Sequence, residues 1–152
     1  LTLPFTKSFS NFGFTDRKRQ YSVCSDMIDT MGIVCQSGKD AIETLSGGNQ
    51  QKVIVGRWLL KPCKVLILDE PFQGVDIKAR RDIGRHIRTT SINRSTLVFV
   101  SELDEAIEIA DRIIVLHEKA IVGEHVNRNI DLSELLSQVS GNSNLLKQAE
   151  VI

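Results

Sequence analysis

The strongest constraint in this chain is a pair of short stretches in fixed order. The first is Leu45-Ser46-Gly47-Gly48-Asn49-Gln50-Gln51-Lys52-Val53 and the second is Val65-Leu66-Ile67-Leu68-Asp69-Glu70-Pro71. A Ser-Gly-Gly turn running into a helix aims unsatisfied backbone N–H groups, and the positive end of the helix dipole, at an anion such as a phosphate. An apolar strand that ends in two carboxylates and a proline sets Asp69 and Glu70 at the carboxyl edge of a sheet. That edge is where a magnesium-bound nucleotide sits in open α/β sheets.

The rest of the chain supplies alternating helices and strands. Residues 1–15 mix phenylalanines with small polar residues and show no steady period, so an irregular lead-in is expected there. From Asp16 a helix is expected, with Tyr21, Cys24, Met27, Ile28 and Met31 on one face and Gly32 as its stop. A second helix should run from Asn49 to Leu60 and end at Lys61-Pro62. Val65 to Leu68 is a continuous apolar run, as in a strand covered on both faces, and Thr96 to Val100 reads as a second buried strand. Between them Ala79, Ile83 and Ile87 recur every four residues behind Asp76, which predicts a helix.

Beyond the second strand, Ser101 and Asp104 have capping-box spacing ahead of a stripe formed by Leu103, Ala106, Ile107 and Ala110. Ile113–Leu116 and Ala120–Val122 read as a hairpin turning at Glu118. Asp131 caps a last helix carrying Leu132, Leu135, Leu136 and Val139, and from Gly141 the chain is polar, as fraying ends are. Strands alternating with helices predict an α/β layer architecture.

Composition excludes some classes of function. Nineteen Lys plus Arg balance nineteen Asp plus Glu, so the chain has no overall electrostatic footprint for nucleic acid. The basic groups Arg17-Lys18-Arg19 and Lys78, Arg80, Arg81, Arg85, Arg88 read as solvated helix faces. Cys24, Cys35 and Cys63 are odd in number and lack metal-ligand spacing, which fits buried thiols in a reducing compartment. His86, His117 and His125 show no ligand spacing either, and Trp58 reads as helix packing. No apolar run reaches the roughly 20 residues of a membrane span, so any membrane attachment is expected to be peripheral.

In these motifs the chain resembles the ATP-binding cassette (ABC) ATPases, whose signature motif, Walker B strand and D-loop occur in this order. The Asn-Gln-Gln-Lys-Val ending is similar to the second cassette of fused double ATPases that energise bacterial import of sugars, of the related autoinducer, or of nucleosides. The matching motifs run from Leu45 to about Glu124. The resemblance implies a RecA-like P-loop NTPase core with an added helical subdomain. Residues 1–64 would form part of that subdomain, 65–130 the carboxyl-terminal half of the core, and 131–152 a helical tail.

The resemblance also assigns roles. Asp69 would hold Mg2+ through water, and Glu70 would be the general base that polarises the attacking water. Ser46, Gly47 and Gly48 would contact the γ-phosphate of ATP held by an opposing cassette, with Asn49 standing where most of the family has glutamine. Gln73-Gly74-Val75-Asp76 matches the D-loop, and Asp76 would communicate across the dimer. Phe72 replaces the usual small threonine. Ser101 stands where most members have a histidine that touches the γ-phosphate; serine is shorter and cannot carry positive charge, so this chain's own site would hydrolyse poorly while its signature completes the partner's site.

No Gly-x-x-x-x-Gly-Lys-Ser/Thr phosphate loop occurs in the 152 residues. The nearest string, Gly32 to Asp40, has one residue too many between its glycines, ends in aspartate and follows a helix, so it reads as a decoy. By the resemblance, the phosphate and glutamine loops would precede Leu1, and this stretch alone should not bind ATP tightly. The implied partners are a second cassette, membrane permease subunits and a periplasmic or extracellular solute-binding protein, with ATP and Mg2+ bound and the assembly at the cytoplasmic face of the cell membrane. Nucleoside import is the near alternative. A non-catalytic regulatory half is a further one, and a soluble cassette acting on DNA or ribosomes is disfavoured by the neutral charge.

Overall fold

A computed structural model of the chain describes residues 1–11 and 13–141. The polar stretch after Gly141, expected to fray, lies outside them. The described residues form two compact units, Leu1–Ser101 and Glu102 onward.

The first unit opens with 3-10 turns over Leu3–Phe9 and a minimal hairpin, β1 (Ser10–Asn11) with β2 (Phe14–Thr15), where no regular element was expected. Phe9 is buried and anchors this lead-in. Helix α1 (Arg17–Met31) starts where the Asp16 carboxylate accepts a hydrogen bond from the Arg19 N–H, and stops at Gly32. Gly32 has φ 57°, a left-handed conformation that costs glycine nothing, and its N–H returns to the carbonyls of the last turn. Met31 is fully buried, and Cys24, Met27 and Ile28 are half-buried on the same side. Tyr21 departs from the expected stripe: it is exposed, with the Lys39 ammonium 5.7 Å from its ring centroid. An amphipathic phenol can end a stripe in solvent, where a cation covers its face.

Helix α2 (Gly47–Leu59) is followed by strand β3 (Val65–Asp69), helix α3 (Ile77–Thr89) and strand β4 (Ser95–Phe99), the last three forming a β-α-β unit. β3 and β4 pair in parallel, with Val65 opposite Ser95 and Asp69 opposite Phe99. Helix α3 buries Ala79, Ile83, Gly84 and Ile87, the face its spacing predicts. The strands are less covered than expected. Leu66 and Leu68 are buried, but Val65 and Ile67 are 60% and 62% exposed, and Leu97 and Phe99 are also exposed. The apolar run identified the strand correctly. Full coverage of both faces does not hold, because the side-chain period of two leaves every second residue on a face that no described element fills.

The second unit has its own core. Helix α4 (Leu103–Ile109) leads into hairpin β5 (Arg112–His117) and β6 (Ala120–Val126), followed by α5 (Leu132–Val139). Ile113, Val115 and the fully buried Leu135 pack with Leu103, Ala106, Ile107, Ala110 and Ile130. The hairpin turns on Glu118 and Lys119, both at positive φ, the backbone that matches strand twist in a two-residue loop. Asp131 accepts from the Ser133 and Glu134 N–H groups and so caps α5 as expected. The capping box expected at Ser101 is not formed. α4 begins one residue later, with Glu102 at its N-cap and no side-chain cap, and the Glu102 carbonyl accepts from Ala106.

Candidate functional site

The two diagnostic stretches occupy adjoining positions in the first unit and are built differently. The signature turn sits at the start of α2. Ser46 and Gly47 are exposed, and Ser46 has an extended backbone (φ −62°, ψ 155°) as an N-cap should. Its hydroxyl does not cap the helix. It accepts a hydrogen bond from the Asn49 side-chain amide at 2.9 Å, while the Asn49 Oδ1 accepts from the Val34 N–H at 2.9 Å. Asn49 therefore braces the turn against the segment after α1, and the first N–H groups of α2 receive no hydrogen bond from the Ser46 side chain.

Packing favours glycine at position 48 and leaves room for a Cβ at position 47. A Cβ on Gly48 would lie 3.0 Å from the Ala79 Cβ on α3, and one on Gly47 would lie 3.5 Å from the Gly74 carbonyl in the Gln73–Asp76 loop. The signature turn thus rests directly on the loop and helix that follow the carboxylates. Asp76 caps that helix, accepting from the Ala79 N–H at 2.8 Å.

Strand pairing brings the chemistry of the second stretch together. Asp69 lies opposite Phe99, so Asp69, Glu70 and Ser101 reach the same carboxyl edge of the β3–β4 pair. Asp69 and Ser101 are exposed and Glu70 is half-buried. Glu70 has φ 45°, in the left-handed region that a residue with a side chain rarely enters. Its N–H donates to the Phe99 carbonyl at 3.0 Å, and its carbonyl accepts from the Gln73 N–H and from the Gln51 side-chain amide at 3.3 Å. Phe72, unexplained by sequence, is 2% exposed: the position after Pro71 is buried, where a phenyl ring is accommodated.

Lys52 escaped the sequence reading because lysine is rarely buried. It is 6% exposed, and its ammonium donates to the Gly32 carbonyl at 3.1 Å and to the Asp82 carboxylate at 2.9 Å, tying α1, α2 and α3 together. That hydrogen bond holds the Asp82 carboxyl below its ordinary range. Burial lowers the His86 imidazole on the same helix. The only sequence signal for Lys52 was its place in the signature motif.

The Gly32–Asp40 string is no phosphate loop: Gly32 ends α1, and Asp40 accepts from the Gln36 and Ser37 N–H groups. The cysteines are free and half-buried, less covered than their neighbours suggested. Trp58 is exposed and meets Phe5 edge-to-face at 6.3 Å. Two hollows of about 430 and 370 Å³ share Lys61, Pro62 and Cys63, just before β3, at the strand end away from the carboxylates. No described helix is long and apolar enough to cross a membrane.

A family model described as ABC transporter matches residues 3–73, which contain both diagnostic stretches. The chain is 39% identical over 144 residues to the ribose import ATP-binding protein RbsA of Streptococcus agalactiae serotype III, a match covering 93% of this chain and 29% of that protein. The chain belongs to the ABC transporter ATPases. A protein of Pseudomonas fluorescens, provisionally named as a ribose/galactose/methyl galactoside import ATP-binding protein, is 34% identical over 90% of this chain and 26% of its own length.

Among solved ABC folds, a dimeric ATP-binding cassette in a post-hydrolysis state bound to ADP and Pi superposes with a TM-score of 0.68 at 19% identity, covering 80% of this chain and 53% of that one. Another cassette of an ABC transporter gives 0.68 at 20% identity, covering 91% and 55%. The α/β P-loop NTPase fold is therefore that of the ABC ATPases. The ABC stretch described here spans about three-tenths of the length of the curated relatives it matches.

Proposed function

We propose that this chain contributes the signature motif and the catalytic carboxylates to the ATP-hydrolysing subunit of an importer for ribose or a related sugar. The observation that carries the reading is the parallel pairing of β3 with β4, which sets Asp69, Glu70 and Ser101 at one sheet edge beside an exposed Ser46-Gly47 turn. In this reading Glu70 takes the proton of the attacking water. Asp69, an exposed carboxylate at a strand end, has the right hardness for Mg2+ held through water, an ion that satisfies itself with one or two carboxylates plus substrate phosphate. Bound there, the ion would offset charge on the phosphate oxygens.

The signature amides and the Ser46 hydroxyl would face the γ-phosphate of ATP held by a second cassette, with Asn49 fixing the hydroxyl and Asp76 communicating through the cap of α3. The partners proposed are that second cassette, permease subunits and a solute-binding protein, with the assembly at the cytoplasmic membrane face. ABC relatives named for ribose import support the substrate class.

The experiment is ATP hydrolysis by the full-length protein with its permease in proteoliposomes, with ribose-loaded and empty binding protein. Stimulation by ribose that Glu70→Gln abolishes is the expected result; turnover indifferent to the sugar or to Glu70 would refute the reading. Ser101 favours a second reading in which this site binds ATP without efficient hydrolysis. It predicts that Glu70→Gln costs less than the same change in the other cassette; equal losses would reject it.

A further inference from the structure

Glu70 is held in a conformation its sequence disfavours twice. A side chain at positive φ costs on the order of 1–2 kcal/mol, and a following proline pushes its predecessor toward extended backbone. Such strain persists only where neighbours over-determine it. Two of the restraints are main-chain bonds, Glu70 N–H to the Phe99 carbonyl and Gln73 N–H to the Glu70 carbonyl. The third comes from a side chain, the Gln51 amide, which reaches the Glu70 carbonyl from α2.

We propose that Gln51 is a positioning residue for the general base, its amide fixing the left-handed turn from which the Glu70 carboxylate is aimed. The inference rests on the reading of Glu70 as that base. Gln51 lies one turn beyond Gly47 on the same helix face, so a single helix presents the signature amides and grips the carboxylate turn. Its role in this inference is to act through the Glu70 main chain.

The test uses the full-length protein carrying Gln51→Leu, or Gln51→Glu, which keeps the length and loses the donor. Both variants should lower kcat about five- to tenfold, the effect of one lost hydrogen bond, with KM for ATP and melting temperature unchanged. Hydrogen exchange at the amides of Glu70, Phe72 and Gln73 should accelerate while α2 and α3 exchange as before. Three results overturn the inference: wild-type kcat in both variants, a fall in kcat with unchanged exchange at those amides, or failure of both to fold, which marks a packing role. Glu70→Gln is measured alongside. If it leaves turnover intact, the reading of Glu70 itself fails; if it abolishes turnover while the Gln51 variants stay active, only the role of Gln51 is lost.

Discussion

The Ser46–Asn49 turn and the Asp69–Glu70 turn both present exposed groups at the ends of regular elements, yet they are held by different means. The first is fixed by side chains and close packing: Asn49 to Ser46 and Val34, Gly48 against Ala79, with Lys52 buried one turn on. The second is fixed mainly by the main chain, through the Phe99 carbonyl and the Gln73 N–H. Substitutions in the first should therefore register as lost stability, whereas the carboxylates of the second can lose their chemistry and leave the fold intact.

The largest effect expected is catalytic. Glu70→Gln in the full-length protein should lower the hydrolysis rate about 10²- to 10⁴-fold, the usual worth of general base catalysis, with no loss in melting temperature. A melting point lowered as far as by a signature-helix variant would erase the contrast. Next comes Lys52→Met, which leaves Asp82 without its cation. Breaking a buried pair costs about 3–5 kcal/mol, and because the Asp82 side chain retains 22% exposure, a loss of about 2–3 kcal/mol is expected in urea unfolding. A loss below about 1 kcal/mol would show that the pair does not hold the three helices together.

Gly48→Ala should cost about 1 kcal/mol by crowding Ala79, and the same change should cost less when made in an Ala79→Gly background. Gly47→Ala, with its nearest contact at 3.5 Å, should be close to neutral for stability. Equal effects at the two glycines would remove the packing argument.

The smallest effects are in pH. His86 is lowered by burial from its ordinary 6.5, so the folded state resists its protonation: stability is full above about 6.5 and falls as the pH drops from there toward the folded value. Asp82 is lowered from 3.8 by the Lys52 hydrogen bond, so its contribution is present above that value and is lost as the pH falls through the lower folded one. Unfolding curves across this range should show the first step flattened in His86→Gln and the second in Lys52→Met.

The sequence made the elements legible wherever a period or a cap specified them, as at Asp16, Gly32, Asp131 and the Ala79-Ile83-Ile87 stripe. It could not show which faces were covered. Val65-Leu66-Ile67-Leu68 lacks alternation, so nothing in it separates the buried Leu66 and Leu68 from the exposed Val65 and Ile67. The one-residue offset at Ser101 was also hidden, because Ser and Asp at capping spacing occur in turns as readily as at helix starts.

The site motifs were legible as a list of residues, but their restraints were not. The brace from Asn49, the Gly48–Ala79 contact and the left-handed Glu70 are tertiary facts joining residues far apart in the chain. Lys52 was obscured by the ordinary preference of lysine for water.

The central claim, that the Ser46–Gly47 turn forms one wall of a nucleotide site shared with a second cassette, is tested most directly by the rate of thiol labelling at position 46. The protein is the full-length chain carrying Ser46→Cys and Glu70→Gln, with its native cysteines replaced. ATP should slow labelling at least about tenfold while ADP leaves it unchanged, because only the γ-phosphate draws the turn into the sandwich. Equal labelling with ATP, with ADP and without nucleotide would contradict the claim.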